Sequence, residues 1–222
     1  MIPPTIRPRG LDELHARAEA IAGRTLEDVA RALGVDPPRV GLRTKGKLGE
    51  LVERALGATG GSQATHDFPD LGVELKTIPV DASLRPREST YVCRISLAEA
   101  ERAEWESSWV RRKLAHVLWV PLVEWHTIGR PVFWRPTPAQ DRLLRADFEE
   151  LMGAIGAGHI EDLTARDGVV LQVRPKAKDG SVRTTAWDRD GDPVQTVPRG
   201  FYLRARFTGA ILRDPTAMPD VS

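Results

Sequence analysis

Apolar residues recur at helical spacing over Gly46 to Leu56, where Leu48, Leu51, Val52, Ala55 and Leu56 share one face before Gly57. Leu11 to Ala22 and Thr25 to Leu33 also read as helices. Thr25 and Asp28 have capping-box-like spacing, and Gly34 supplies a stop. Ser107 to Ala115 is a further helix. Another starts at Thr137, with Pro138 in its first position, Gln140 completing a capping box, and Leu144, Phe148, Leu151, Met152 and Ile155 as its stripe. Period-two alternation is clearest at Leu71 to Val80, where Val73, Leu75 and Thr77 alternate with Glu74, Lys76 and Ile78. Tyr91 to Leu97, Val117 to Leu122, Pro131 to Trp134 and Val169 to Val173 read as strands, and Phe201 to Arg206 as an extended stretch before a short helix. Pro37 and Pro38 break the chain, Ala58 to Thr65 is a Gly/Ser/Thr-rich loop, Lys176 to Gln195 a long polar loop, and the tail from Asp214 a loose end. The pattern is that of a mixed α/β chain without a repeated motif.

Composition narrows the setting. A chain of 222 residues fits one large domain or two closely packed lobes, and 41% hydrophobic with 28% charged residues predicts a folded, soluble protein. No apolar run approaches the roughly 18 residues of a membrane span, and Met1 to Gly10 lacks an apolar signal core. The sole cysteine, Cys93, excludes an internal disulfide and a multi-cysteine zinc site. These features point to the cytoplasm. Net charge is only +1, yet basic residues gather in short clusters: Arg43, Lys45 and Lys47; Arg85 and Arg87; Arg111, Arg112 and Lys113; Arg174, Lys176 and Lys178; Arg199, Arg204 and Arg206. Such clusters suit a polyanion; an ordinary mixed surface has the same composition.

Candidate chemistry sits on the clearest strand. Glu74 and Lys76 are two apart, so their side chains leave one face. Asp67 precedes Glu74 by seven residues across a Phe68-Pro69 turn, which brings a second carboxylate within reach. Two carboxylates beside a lysine suit metal-assisted phosphodiester hydrolysis: magnesium takes oxygen ligands and keeps waters, and the lysine serves the attacking water and offsets developing charge. Glu53, off the apolar stripe of its helix, is a fourth member able to contact a water or a second metal. Spacing alone leaves open that Glu74 and Lys76 are merely the solvent face of a strand. The histidines are scattered, and no HExxH, phosphate-binding glycine loop or nucleophile elbow is present.

At these residues the sequence resembles the MutH family of mismatch-repair endonucleases, of the PD-(D/E)xK type. The run His66-Asp67-Phe68-Pro69-Asp70-Leu71-Gly72-Val73-Glu74-Leu75-Lys76-Thr77-Ile78-Pro79-Val80-Asp81 is similar to that family's catalytic segment throughout. Further blocks follow in order: Lys45-Gly46 with Gly49 through Glu53, Tyr91 to Cys93, Val110 to Leu114, Val117 to Pro121, Leu171 to Ala177, and Pro198 to Leu203. The resemblance spans about residues 11 to 213. It implies a single restriction-endonuclease-like domain: a central mixed sheet flanked by helices, with two arms around a DNA cleft. The catalytic residues fall in a lobe of about residues 11–105, and the reading loop in a lobe of about 106–213.

The resemblance also implies roles. Asp67 and Glu74, with the Leu75 carbonyl, bind Mg2+ (Mn2+ as substitute), Lys76 serves the water, and Glu53 is an additional active-site glutamate. Lys45 and Lys113 are basic residues of the active-site or DNA-binding cleft, Arg174 and Pro175 open a sequence-reading loop, and Lys176 is a DNA-binding residue. Arg199 belongs to the DNA-binding set, and Tyr202 lies near the adenine whose methylation is sensed. Arginine reads guanine bidentately in the major groove; a phosphate contact for Arg174 and a core role for Tyr202 are the alternatives. The expected activity is nicking of the unmethylated strand at GATC-type sites in double-stranded DNA, by a monomer with a MutL-type activator. The D-x6-E-x-K block occurs once, which argues for one strand per engagement. The alternatives are a dimeric type II restriction-like enzyme and a catalytically silent DNA-binding adaptor. The stretch Lys178 to Gln195, with Trp187, and the tail Asp214 to Ser222 depart from the family pattern, which bears on recognition and on coupling to MutL.

Overall fold

A computed structural model describes residues 6–37, 45–60, 65–177, 179 and 181–219. Pro38, Arg43, the side chain of Lys45, residues 61–64 of the Gly/Ser/Thr-rich loop and Lys178 lie outside the described residues. In chain order the elements are α1 (Leu11–Ile21), α2 (Leu26–Ala32), α3 (Lys45–Leu56), β1 (Glu74–Val80), β2 (Thr90–Arg94), α4 (Trp109–Leu114), β3 (Val117–Val123), β4 (Thr127–Ile128) and β5 (Val132–Trp134). They continue with α5 (Pro138–Gly156), β6 (Leu171–Pro175), β7 (Thr184–Trp187), β8 (Pro193–Thr196), β9 (Arg199–Leu203) and α6 (Ala205–Arg213). Two short 3-10 turns, Pro69–Leu71 and Leu97–Arg102, complete the set.

The mixed α/β reading holds, and two compact units share the elements: residues 1–87 with 116–135, and 88–115 with 136–222. They interleave along the chain, so a single lobe boundary near residue 105 does not describe them. The cause is strand polarity. β1 and β3 pair in parallel, Glu74 opposite Val117 through Val80 opposite Val123, and parallel neighbours need a long connection in place of a tight turn. The chain between them, 88–115, belongs to the second unit.

In the first unit β3 is the central strand. β1 lies on one edge, and the antiparallel β4 and β5 share the other. Leu14, Ala18 and Ile21 of α1, Leu26 and Val29 of α2, and the α3 stripe pack with Leu75, Leu118, Val120, Leu122 and Ile128 into one buried core. The expected cap of α2 forms: the Asp28 N–H donates to Thr25 Oγ1 at 3.0 Å, and Gly34 ends the helix with φ +67°. At the start of β3, His116 is buried and its Nδ1 lies 2.9 Å from Nη2 of Arg135. Burial, then the positive charge of Arg135, pulls the His116 pKa down to about 4, so the imidazole is neutral at physiological pH and accepts from the guanidinium.

In the second unit β9 runs between β2 and β6, antiparallel to both. The α5 cap forms as read: the Gln140 N–H donates to Thr137 Oγ1 at 3.2 Å and the Thr137 N–H to Gln140 Oε1 at 2.9 Å. One buried carboxylate fixes α5 to β6. Asp147, 2% exposed, accepts the backbone N–H groups of Val169, Val170 and Leu171 at 2.6–2.7 Å.

Three expectations are corrected here. The polar stretch after Lys176 contains the β7–β8 hairpin, with Thr184 opposite Thr196 and Trp187 opposite Pro193. Its turn is built by Asp188, whose Oδ1 accepts from the N–H groups of Asp190 and Asp192, and by Gly191 at φ +82°. The tail is also tied down through its described part, because buried Gln140 donates from Nε2 to the carbonyls of Pro215 (3.0 Å) and Ala217 (2.8 Å). The strand read from Leu71 starts at Glu74, since Pro69–Leu71 forms a 3-10 turn.

Two outcomes test these anchors. Asp147→Ala leaves three buried or partly buried N–H groups without their acceptor and lowers unfolding free energy by about 3–5 kcal/mol in urea melts. Asp147→Asn, which keeps one acceptor oxygen, loses less. For His116 the folded pKa of about 4 lies below the ordinary 6.5. The neutral ring's contribution is therefore complete above about pH 6.5, shrinks as pH falls through the window to about 4, and is flat below it. Melts across that window lose up to about 3 kcal/mol from this group, and His116→Asn removes that part of the slope.

Candidate active site

A short turn creates the site. The Phe68 N–H donates to the Val73 carbonyl (2.9 Å) and the Val73 N–H to the Phe68 carbonyl (3.3 Å), closing a loop around Pro69–Leu71 and Gly72, whose φ of +62° suits glycine. The closure returns Asp67 to the strand that follows, where its Oδ2 accepts the Leu75 N–H at 2.8 Å. The N–H groups of Thr59 and Gly60 both donate to the Asp67 carbonyl. A Cβ at Gly60 would lie 2.1 Å from the His66 carbonyl oxygen, so this approach admits no side chain.

Glu74 opens β1, and its N–H donates to the His116 carbonyl at 3.0 Å. Lys76 Nζ stands 2.5 Å from Glu74 Oε1, confirming that the two side chains share a face. The plain solvent-face alternative fails, because Glu74 is 3% and Asp67 8% exposed. Glu53 joins them from α3. Gly49, one turn earlier, faces Thr77 of β1, where a Cβ would make ordinary contact with Thr77 Oγ1 at 3.4 Å. Burial, then the negative charges of Asp67 and Glu50, holds the Glu53 carboxyl above the usual carboxylate range, with Lys76 acting the other way and Glu74 adding to the rise. The structure thus brings together Glu53, Asp67, Glu74 and Lys76, all in the first unit.

Asp67, Glu74 and Glu53 lie near Lys76, and Lys76 pairs with Glu74. Asp67, Glu74 and the Leu75 carbonyl are oxygen donors at one strand end, the donor chemistry a hard divalent cation takes. Among the described residues no three His, Cys, Asp or Glu side chains form a ready-made metal cage. Magnesium needs none, being held by one or two carboxylates with water and substrate phosphate.

The expected DNA-reading residues lie on the second unit. Lys113 is a buried residue of α4. Arg174 and Pro175 end β6, Lys176 follows, and Tyr202 lies on β9 opposite Gln172 and Tyr91. The Arg174 guanidinium stands 5.7 Å from the centre of the Tyr202 ring, and Lys176 Nζ 4.3 Å from that of Tyr91. The two rings meet edge to face at 5.4 Å. Two cations are thereby held over two aromatic faces. Gly200 makes room for this, since a Cβ there would come within 2.9 Å of the Tyr91 ring. Burial raises both phenol pKa values, so both hydroxyls stay protonated. Arg199 differs from the rest: it is 9% exposed and its Nη2 binds Glu161 Oε2 at 3.0 Å, which commits it to the fold. Lys45 begins α3, with its side chain outside the described residues.

Sequence reasoning missed Tyr91 and the His116–Arg135 pair. Tyr91 stood in a block carrying the family resemblance. Nothing in spacing joins His116 to Arg135, which meet only through the β3–β5 pairing.

A family model described as DNA mismatch repair enzyme MutH matches residues 56–147. The DNA mismatch repair protein MutH of Serratia proteamaculans is 45% identical over 212 residues, covering 92% of this chain and 93% of its own length. That of Shewanella amazonensis is 47% identical over 213 residues (93% and 95%), and that of Yersinia enterocolitica 44% over 216 residues (94% and 95%). Matches at this identity over nearly the whole length, on a chain with the catalytic segment folded as described, show that it belongs to the MutH family of DNA mismatch repair enzymes.

Proposed function

We propose that the chain is a magnesium-dependent endonuclease that nicks the unmethylated strand at GATC-type sites, as a monomer stimulated by a MutL-type activator. The observation that carries this reading is the convergence of Asp67, Glu74 and Glu53 on Lys76 at the start of β1. The mixed sheet of the first unit, backed by helices, suits the restriction-endonuclease-like fold that goes with it. No helix among the described residues is long and apolar enough to cross a membrane, and a cytoplasmic site of action is part of the proposal.

Asp67, Glu74 and the Leu75 carbonyl would hold Mg2+, with Mn2+ as substitute, which when bound polarises the scissile phosphate and makes a bound water more acidic. The chain's own residues do the rest. Lys76 orients the attacking water and offsets the charge that builds on the phosphate. Its pairing with Glu74 keeps the ammonium at the strand end. Glu53, with its raised pKa, is suited to hold a proton near the same water. Arg174 presents its guanidinium to a base edge, and Tyr202 stands beside it to meet the adenine. Lys45, Lys113 and Lys176 serve the phosphate backbone.

A supercoiled-plasmid digest tests the reading, with unmethylated and adenine-methylated GATC substrates, with and without a MutL partner. Open circles formed only with Mg2+ or Mn2+, only on unmethylated strands, and faster with MutL, are the expected result. Linear product from the first time points would favour the dimeric restriction-like enzyme, and metal-independent binding without turnover the silent adaptor. Glu74→Ala and Lys76→Ala abolish cleavage, a loss of at least about a thousandfold, while binding stays largely intact because it rests mainly on phosphate contacts. Normal cutting by either variant overturns the catalytic assignment. Arg174→Ala relaxes discrimination between cognate and single-base-altered sites by about 1–3 kcal/mol; unchanged discrimination rules out base reading by this residue.

A further inference from the structure

Arg135 directly follows β5. The strand register places Val117 between Glu74 and Trp134, so Arg135 and His116 extend the end of the sheet that carries Glu74. His116 serves both neighbours: its carbonyl accepts the Glu74 N–H, and its ring accepts the Arg135 guanidinium at 2.9 Å. The ring is fixed, being buried and tilted against Phe133, whose other contact is a stacked His15 ring at 3.4 Å. Arg135 itself is exposed. Among the described residues no carboxylate pairs with it, in contrast to Arg87 of the same unit, which meets Glu124 at 2.5 Å. The charged groups acting on His116 are Arg135, His15 and His66, all cationic when charged. A guanidinium is thus held in place by a neutral ring, with its charge uncompensated and its remaining donors directed elsewhere.

We infer that Arg135, seated on His116 at the catalytic end of the first unit's sheet, is a phosphate-binding residue that grips the DNA backbone close to the cut. This rests on the DNA-cleaving reading above. Two strand spacings of about 4.8 Å separate the Glu74 and Trp134 backbones. A DNA strand presents a phosphate about every 3.4 Å along its axis. His116 and Arg135 lie one residue beyond the Val117–Trp134 pair, so their side chains leave the face opposite to Glu74 and Lys76, and the phosphate that Arg135 takes is one passing the end of the sheet beyond the scissile phosphate. Guanidinium matches phosphate bidentately, and a carboxylate in place of His116 would neutralise the charge that this contact needs.

The experiment is the salt dependence of binding to a short GATC duplex, followed by fluorescence anisotropy without divalent metal. Each phosphate contact contributes about 0.9 to the slope of log K against log salt. Arg135→Ala reduces the magnitude of the slope by about that amount, and Arg135→Lys retains it. His116→Asn keeps the slope but weakens binding severalfold, since the charge remains and its positioning is loosened. An unchanged slope in Arg135→Ala overturns the inference, as does a fall in melting temperature with no change in slope, which marks a structural role only. Arg135→Gln is the second variant for the same measurement. Failure of the unaltered protein to bind DNA would instead overturn the DNA-cleaving reading, and this inference with it.

Discussion

Three carboxylates, Glu53, Asp67 and Glu74, gather beside Lys76 in the first unit, largely out of water, and much of the local architecture follows from holding them there. Like charges in a low-dielectric setting repel strongly, and each carboxylate must be stabilised or hold its proton. The fold does both. Asp67 takes a backbone N–H from Leu75, Glu74 takes the Lys76 ammonium, and Glu53 is left with its carboxyl pushed above the usual range. These solutions require close backbone approach. Gly60 lies where a side chain would strike His66, and Gly72 adopts a left-handed turn.

Local signals were fully legible in the sequence. The caps at Thr25 and Thr137, the α3 stripe and the alternation in β1 depend on neighbours three or four residues away, or on alternate residues. The catalytic meaning of Glu74 and Lys76 was not legible from spacing alone, because a solvent-facing strand and a buried acid–lysine pair alternate identically. Only burial separates them, and burial is set by α3 and β3. The β7–β8 hairpin escaped for a related reason: of its inward positions only Ala186 is apolar and buried, so its register rests on the Asp188 turn and on Trp187 donating to the Ala98 carbonyl. Gln140 was read as a cap, correctly, but its amide also holds the tail, a contact across 75 and 77 residues.

Arg199 and Arg174 show that basic clusters divide by partner. Both lie on the same antiparallel sheet, β9 and β6, and a sequence reading groups both with nucleic acid. Glu161 captures Arg199, whereas Arg174 meets the face of Tyr202. An aromatic face steadies a cation without neutralising it, so Arg174 and Lys176 keep their charge against Tyr202 and Tyr91. His116 treats Arg135 similarly with a different side chain. The recurring device is a cation positioned by a neutral group.

The separation of chemistries follows from strand polarity. A parallel β1–β3 pair forces the chain to leave the first unit after β1, and the excursion supplies β2 and α4, hence Tyr91 and Lys113, to the second unit. The carboxylate–lysine residues between Glu53 and Lys76 therefore precede the basic and aromatic residues from Tyr91 to Tyr202 along the sequence, and the two sets belong to different units. The β7–β8 hairpin, with its own turn, falls in the second unit. Substitutions there perturb the β7–β8 ladder and the Trp187 anchor, while the Phe68–Val73 turn and the Asp67–Leu75 bond rest on the first unit's core. Energetic coupling weakens between groups without shared partners. Recognition can consequently drift in such a chain while the carboxylate–lysine geometry, built from adjacent residues around one turn, stays fixed.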